Sequence, residues 1–499
     1  MGKESRINRI MIAAPASGSG KTLVTCGLLQ LLRQRGADVT AFKCGPDYID
    51  PMFHDRVLGV GGGNLDTFFC SAERTAEILA CCGHSHAVLE GVMGVYDGLG
   101  GLELKASSYD VALATRTPIL LVVNAKGTGR TLIPQLCGIL KADPEHLIKG
   151  ILLNRVSEGF YRRLSAAVNE SLSEEGYAAR VVGYLSDLKE AKLDSRHLGL
   201  LRPEEIPELA EKVRTVAATL EQSLDLQAVF RIMEAAEPLK CEEHDGSGCS
   251  GMESTDIGEA QGESGCSGTE SADIVEGQSA KNAAGKRVVR LAVARDEAFC
   301  FYYRENLRLL ERMGTVIVPF SPIRDQHLPE DIDGLYIGGG YPELYLPELA
   351  ANTSMREEIR QAIAAGIPSI AECGGFMYLH DTIEDADGNV YPMVGAVHGN
   401  CSRTGGLRRF GYIELQSSGS GGLREALNGI RGHEFHYYDS TDCGEDMKAV
   451  KAGDDREWKA MHVGEEHVWG FPHLFMESHP EFAEHFTEVM RHGRKKYAG

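Results

Sequence analysis

The sequence contains no uninterrupted apolar run of about 18 residues, the length a membrane-spanning helix needs, so no span is expected. It is also poor in positive charge. Lys and Arg number 51 against 72 Asp and Glu, a formal net charge of −21, which argues against nucleic acid as a partner. No leader is evident, because Met1-Gly2-Lys3-Glu4-Ser5-Arg6 runs straight into an expected strand. The cytoplasm is therefore the expected compartment. The 13 cysteines follow neither a disulfide framework nor zinc-ligand spacing, so reduced thiols are expected. Much of the acidity is local. Residues 241–280 carry ten Asp or Glu, no Lys or Arg, and no aromatic residue. Such a stretch cannot bury enough apolar surface to fold. It contains two copies of one segment, Ser247–Ile257 and Ser264–Ile274, too few for a solenoid. We read 238–287 as a disordered acidic linker. Deleting 241–280 is expected to leave turnover unchanged, and a large loss in a turnover assay would show otherwise.

At 499 residues the chain is too long for one core, and its 43% apolar and 7% aromatic content suits an ordinary globular protein. Upstream of the linker, short apolar runs of buried-strand type alternate with helical periodicity. Strands are expected at Arg9–Ala14, Val39–Lys43, His86–Glu90, Ile119–Val123 and Gly150–Leu153, with a helix over Lys21–Arg35. Downstream the pattern restarts at Arg290–Ala294, Val316–Pro319, Gly334–Ile337 and Ser369–Glu372, with helices over Phe301–Arg312 and Met355–Ala365. Antiparallel hairpins are expected in Pro392–Leu415 and Val463–Phe475. The expected fold class is α/β, with two doubly wound domains.

Two motifs carry chemistry. The first is Ala13-Ala14-Pro15-Ala16-Ser17-Gly18-Ser19-Gly20-Lys21-Thr22, between the first strand and the first helix. Backbone N–H groups of such a loop wrap phosphate oxygens at a helix N-terminus. Lys21 would reach the β- and γ-phosphates of ATP, and the Thr22 hydroxyl would hold Mg2+. Pro15 stands where the usual pattern has glycine. Lys43-Cys44-Gly45-Pro46-Asp47-Tyr48-Ile49-Asp50-Pro51 follows the second strand, and Glu90-Gly91-Val92-Met93-Gly94-Val95-Tyr96-Asp97-Gly98 the third. A parallel sheet brings both to the phosphate-loop edge. Asp47 and Glu90 are the candidate Mg2+ carboxylates, and Lys43 would neutralise transferring phosphate. Asp50 and Asp97 also fit ordinary turns.

The second motif is Ile370-Ala371-Glu372-Cys373-Gly374-Gly375-Phe376. A cysteine on a strand-to-helix turn is presented to substrate beside a helix N-terminus, which favours its thiolate. Gly338-Gly339-Gly340-Tyr341 follows another strand and would supply N–H groups for an oxyanion hole, with Gly339, Gly340 and Gly374 as candidates. His473 and His479 compete as the base. His433 and His436 could form a metal pair, but no third ligand is evident.

With these segments in view, the chain resembles the cobyrinate a,c-diamide synthases, which amidate two acetate side chains of the cobalamin precursor. The likeness runs through Ala13–Thr22, Lys43–Pro51, Glu90–Gly98, Asn154-Arg155-Val156, Arg196–Leu200, Ala294–Phe299, Gly338–Leu344, Glu372–Gly375 and Gly432–His436. It implies a dethiobiotin-synthetase-like ATP and corrinoid domain over 1–237. It also implies a class I glutamine amidotransferase domain over 288–499, flavodoxin-like and with a Cys–His pair lacking the usual Glu. Pro15 fits that family. Cys373 and His473 then fall on the catalytic pair. Phe475 and His479 stand where the family usually has His and Asn. The resemblance further implies ATP contacts from Ser17, Gly18, Ser19, Gly20, Lys21, Thr22, Lys43 and Asn154. It implies metal contacts from Thr22, Asp47 and Glu90, and substrate contacts from Tyr48, Asp50 and Asp97. The implied partners are cobyrinate, L-glutamine and ATP, with the chain as a homodimer. The same chemistry on hydrogenobyrinate or nickel-sirohydrochlorin is the nearest alternative. A nucleotide-switch protein with an inactive amidotransferase domain is a distant one.

Overall fold

The computed structural model describes residues 3–188, 206–241, 286–417, 419 and 421–493. Most of the expected linker, 242–285, and the Arg196–Leu200 segment lie outside the described residues. The linker was expected to begin at 238, but Leu239–Cys241 forms a strand paired antiparallel with Lys3–Ser5, tying the end of the first half to its beginning.

The first half is one seven-stranded sheet. Its strands are β1 (Asn8–Ala13), β2 (Val39–Cys44), β3 (Gly62–Leu65), β4 (His86–Glu90), β5 (Ile119–Asn124), β6 (Ile148–Asn154) and β7 (Arg180–Leu185). They run in the order β3-β2-β4-β1-β5-β6-β7, every pair parallel. Strands such as Ile-Leu-Leu-Val-Val are apolar on both faces because helices cover both, and two separate cores flank the sheet. The chain leaves β1 for one side of the sheet and returns from β4 to the other side. That reversal opens a crevice at the carboxyl ends of β1 and β4, where α1 (Lys21–Gln34) begins.

The second half carries β8 (Val289–Ala294), β9 (Thr315–Phe320), β10 (Gly334–Ile337), β11 (Ser369–Glu372), β12 (His462–Val463) and β13 (His467–Gly470), in the order β9-β8-β10-β11-β13-β12. All pairs are parallel except the last. A hairpin was expected in Pro392–Leu415, but Val397–Gln416 is one long strand. With Arg431–Ser440 and His473–Leu474 it centres a second, mostly antiparallel seven-stranded sheet, while the hairpin expected in Val463–Phe475 is the antiparallel β12–β13 pair of this half's first sheet. The helix expected from Phe301 begins only at Arg304. Phe299–Phe301 is a strand paired with Gly339–Gly340, in keeping with the sheet preference of an aromatic run.

The halves meet along a closed aromatic seam of Tyr48, Phe68, Phe69, Tyr303 and Phe475, with Phe301 and Tyr412 packed against it. Phe69 stacks on Phe475 with ring centroids 4.8 Å apart. Polar links lock the seam. Tyr412 donates to Asp66 at 2.5 Å, Arg431 to the Phe68 carbonyl at 2.7 Å, and Arg74 to Glu477 at 2.5 Å. The Asn64 N–H donates to Glu305 at 3.0 Å. An added Cβ on Gly63 would sit 1.7 Å from that Glu305 oxygen, so the close approach of α2 (Arg304–Arg312) to β3 needs glycine there. Among the described residues no helix is long and apolar enough to cross a membrane.

Candidate active site

At the phosphate loop, the Asn154 amide donates to the Ser19 carbonyl at 2.7 Å and Ser19 Oγ donates to the Ala16 carbonyl at 2.8 Å. Gly18 and Gly20 take positive φ, which turns the loop into α1. Lys21 is nearly buried and donates to the Met93 carbonyl at 2.5 Å. Burial, and then the nearby Lys43 ammonium, pull Lys21 down to about 8.

Behind the loop lies a buried charge cluster. Lys43 Nζ is 2.5 Å from Asp50 and 2.9 Å from Glu90, and Thr22 donates to the same Glu90 oxygen at 2.5 Å. Burial by itself would raise Glu90, but Lys43, His54 and Thr22 outweigh it and hold Glu90 well below the usual carboxylate range. For Asp50, burial and the Glu90 charge win over Lys43, and its carboxyl is raised. Lys43 loses to burial but gains more from Asp50 and Glu90, so its ammonium is held on. The other Glu90 oxygen is buried with no hydrogen-bond donor, and His54 stands 3.6 Å off. A hydroxyl beside a carboxylate with an unclaimed oxygen, at the mouth of a phosphate loop, is a donor set that suits Mg2+. Asp47 stands nearby, though one of its oxygens caps the following helix by accepting from the Ile49 and Asp50 N–H groups. Asp97 Oδ2 accepts from the Gly94 N–H at 2.9 Å within its turn. Tyr48 does not stand open to solvent. Its ring is buried in the seam, stacked on Phe301 at 5.0 Å and tilted against His473 at 5.2 Å.

At the second centre, Cys373 takes φ 46 and ψ −105 as it passes from β11 into α3 (Gly374–Tyr378, second half). A non-glycine residue in that region is strained, and the Cys373 N–H is anchored to the Gly470 carbonyl at 2.8 Å. The thiolate expected from the helix terminus is not what the site favours at rest. Burial, then the Glu343 charge, push the thiol far up, and the residue is 7% exposed. His473 is driven well below its usual value by burial and then by His433 and His436. The pair therefore rests as neutral thiol and neutral imidazole. His473 Nδ1 is buried with no hydrogen-bond partner. His479 is one-third exposed and stands 3.7 Å from Glu481 at the surface.

Glu372 had no role in the sequence reading, yet it joins the two halves of this centre. It precedes Cys373, and its carboxyl accepts from the N–H of Leu474, the residue after His473, at 3.1 Å, and from the Tyr336 hydroxyl at 3.0 Å. Burial raises it to about 8. A carboxyl raised in the folded state lends stability that is full below its unfolded value and is lost as pH rises through about 8. Glu372→Gln is therefore expected to gain Tm on the wild type between pH 5 and pH 9. A Tm difference independent of pH in calorimetry would refute this. His433 was also missed as a neighbour of His473. It stacks on His473 with centroids 4.9 Å apart and receives Tyr303 OH at 2.9 Å. His436 is engaged elsewhere, bridging Glu434 at 2.9 Å and the Tyr438 carbonyl at 2.5 Å. Among the described residues no cluster of three or more His, Cys, Asp or Glu side chains forms around them.

The glycine loop comes to the same place. An added Cβ on Gly339 would lie 2.3 Å from His473 Cε1, and one on Gly374 would lie 3.1 Å from the Gly340 nitrogen. Gly339→Ala is expected to displace the His473 ring and cut glutamine hydrolysis by about a hundredfold or more while binding of ATP is kept. Unchanged hydrolysis kinetics would show that the ring does not need that space.

These folds and centres define a nucleotide-binding domain joined to a glutamine amidotransferase domain. Residues 10–200 match the CobQ/CobB/MinD/ParA nucleotide binding domain, and residues 290–477 match the CobB/CobQ-like glutamine amidotransferase domain. Cobyrinate a,c-diamide synthase of Clostridium tetani is 33% identical over 96% of this chain and 99% of its own. That of Listeria innocua is 36% identical over 91% of this chain and 93% of its own, and that of Salmonella typhimurium 34% over 98% and 99%. The chain belongs to the cobyrinate a,c-diamide synthase family.

Proposed function

We propose that this chain amidates the a and c acetate carboxylates of cobyrinate, with ATP activating each carboxylate and glutamine supplying the ammonia. The observation that carries the reading is the pairing of two centres, a phosphate loop with its charge cluster and a strained cysteine elbow, on either side of one closed aromatic seam. Family membership along nearly the whole chain supports it.

Cys373 Sγ attacks the glutamine amide carbon, and its proton passes to His473. The N–H groups of Gly339, Gly340 and Gly374 hold the oxygen that becomes negative. His473 then gives the proton to the departing ammonia, and water cleaves the thioester to glutamate. Across the seam a macrocycle carboxylate displaces ADP from the γ-phosphorus of ATP, and ammonia displaces phosphate from the acyl phosphate. Ser17 to Thr22 cradle the phosphates, Asn154 steadies the loop, and Lys21 and Lys43 face the moving charge. Thr22, Glu90 and Asp47 would hold Mg2+, which neutralises charge on the phosphates when bound. Asp50 and Asp97 belong to the acceptor side, whereas Tyr48, expected there too, packs its ring into the seam. The reaction is read as cytoplasmic and the active species as a homodimer, which sedimentation of the active preparation checks.

The test is incubation with ATP, glutamine and cobyrinate, read by mass. Two successive losses of about 1 Da, one per carboxylate turned amide, are expected from the wild type and not from Cys373→Ala fed with glutamine. Glutamine hydrolysis without any change in cobyrinate mass would overturn the substrate and direct the search to hydrogenobyrinate or nickel-sirohydrochlorin.

A further inference from the structure

Ten large apolar side chains stand exposed among the described residues, and seven come from two segments: Met93, Leu102 and Leu104, and Leu407, Phe410, Phe435 and Tyr437. The two segments belong to different domains and are bridged by the turn at 451–453. Lys21 holds the Met93 carbonyl at 2.5 Å. An added Cβ on Gly101 would touch Met93 at 3.8 Å, and one on Gly453 would touch Glu103 at 3.5 Å and Leu99 at 3.9 Å. The Ala452 N–H, next to Gly453, donates to the Tyr412 carbonyl at 3.0 Å, and Lys451 to the Phe410 carbonyl at 2.6 Å.

The sheet geometry explains why these aromatics are open. His433 and Tyr412 are register partners and both face the ATP-binding domain, one against Tyr48 and the other against Asp66. Alternation puts Phe435 and Tyr437 on the His433 face. The partner strand shifts register between Arg408 and Gly411, and the Phe410–Phe435 ring contact puts Phe410 on that same face. One continuous face is therefore buried in the seam at Tyr412 and His433, then runs out into solvent as Phe410, Phe435 and Tyr437. Phe410 and Phe435 touch edge-to-face at 5.3 Å.

The charge of this hairpin runs against that of the chain. Arg403-Thr404-Gly405-Gly406-Leu407-Arg408-Arg409-Phe410 holds three arginines and no carboxylate in a protein of net charge −21. Asp439 is shared by Arg408 at 4.0 Å and Arg409 at 3.8 Å, and the Arg408 side chain is 61% exposed.

We infer that this amidotransferase-domain hairpin, with the Met93–Leu104 loop opposite it, is the docking face for the amide acceptor: a flat apolar macrocycle rimmed with carboxylates. The inference rests on the function proposed above. The ring lies against Phe410, Phe435 and Tyr437, and peripheral carboxylates not being amidated meet Arg403 and Arg408. The carboxylate to be activated then points down the seam edge toward Lys21. Both domains thus hold the acceptor, and its arrival spans the route from the thiol centre to the phosphate loop.

The test compares Phe435→Ala, Tyr437→Ala and Arg408→Glu with wild type in steady-state amidation of cobyrinate. KM for cobyrinate is expected to rise about tenfold or more, with KM for ATP and glutamine within about twofold of wild type. Arg408→Lys is expected to recover most of the loss, since it restores the charge. A wild type active on cobyrinate whose variants keep its KM overturns the docking face. A wild type inert to cobyrinate overturns the functional reading instead. Variants that change the sedimentation of the protein while cobyrinate KM holds would show that the face joins two copies of the chain, which also overturns the proposal.

Discussion

Lys43→Met is expected to abolish ATP-dependent amidation and to lower Tm by about 10 °C, the largest stability loss from a single site in this protein. Lys43 is 6% exposed and lies within 3 Å of two carboxylates, Asp50 at 2.5 Å and Glu90 at 2.9 Å. The ammonium offsets two buried negative charges at once. Without it the pair repel in a low-dielectric pocket, at a cost of about 3–5 kcal/mol for a broken buried pair. Asp50 is the carboxyl already raised by burial and by Glu90, so it takes up the proton that relieves the strain. Adding Asp50→Asn to Lys43→Met is accordingly expected to recover most of the Tm but none of the turnover. Thermal unfolding and ATP-dependent turnover of the single and double variants check this together. A Tm unchanged in Lys43→Met would mean the cluster is solvated and the charges do not depend on one another.

The second large effect is expected at Cys373. Cys373→Ala should lower glutamine-dependent amidation by about a thousandfold or more and leave amidation from ammonium salts in place. The split follows from the architecture. The sulfur stands on the second-half sheet, while the phosphate loop, Lys43 and Glu90 stand on the first, on the other side of the aromatic seam. Because thiol and imidazole both rest neutral, activity with glutamine is expected to need proton transfer from Cys373 to His473 on substrate binding rather than a standing ion pair. Alkylation of Cys373 without glutamine should therefore be slow at pH 7 and faster with bound substrate. Equal loss of ammonia-dependent and glutamine-dependent activity in Cys373→Ala would show that the two centres do not work separately.

Much of this organisation was legible in the sequence for identifiable reasons. His86–Glu90, Gly334–Ile337 and Ser369–Glu372 were read with the observed bounds, because strands buried on both faces are apolar throughout and end at polar or glycine residues. The phosphate loop and cysteine elbow were legible because their chemistry depends on contiguous residues. β3, Gly62–Leu65, was not read, since two of its four residues are glycines that exist to let Glu305 and Ala41 approach, a reason located more than 240 residues away for Glu305. The expected helix started three residues early, at Phe301, because the strand Phe299–Phe301 has only the Gly339–Gly340 pair as its partner.

The sequence by itself determined the class of fold, the two motifs and the family, because each rests on local periodicity or on neighbouring residues. It also made Lys43, Glu90 and Thr22 candidates for one site. Only the tertiary structure decided that Glu372 joins Cys373 to the His473 strand and that Tyr48 turns its ring into the seam. Those outcomes depend on burial and on contacts between residues far apart in the chain. Burial also decided the resting protonation of Cys373 and His473, since desolvation acts on the charged form and cannot be read from the identity of a residue's neighbours in sequence.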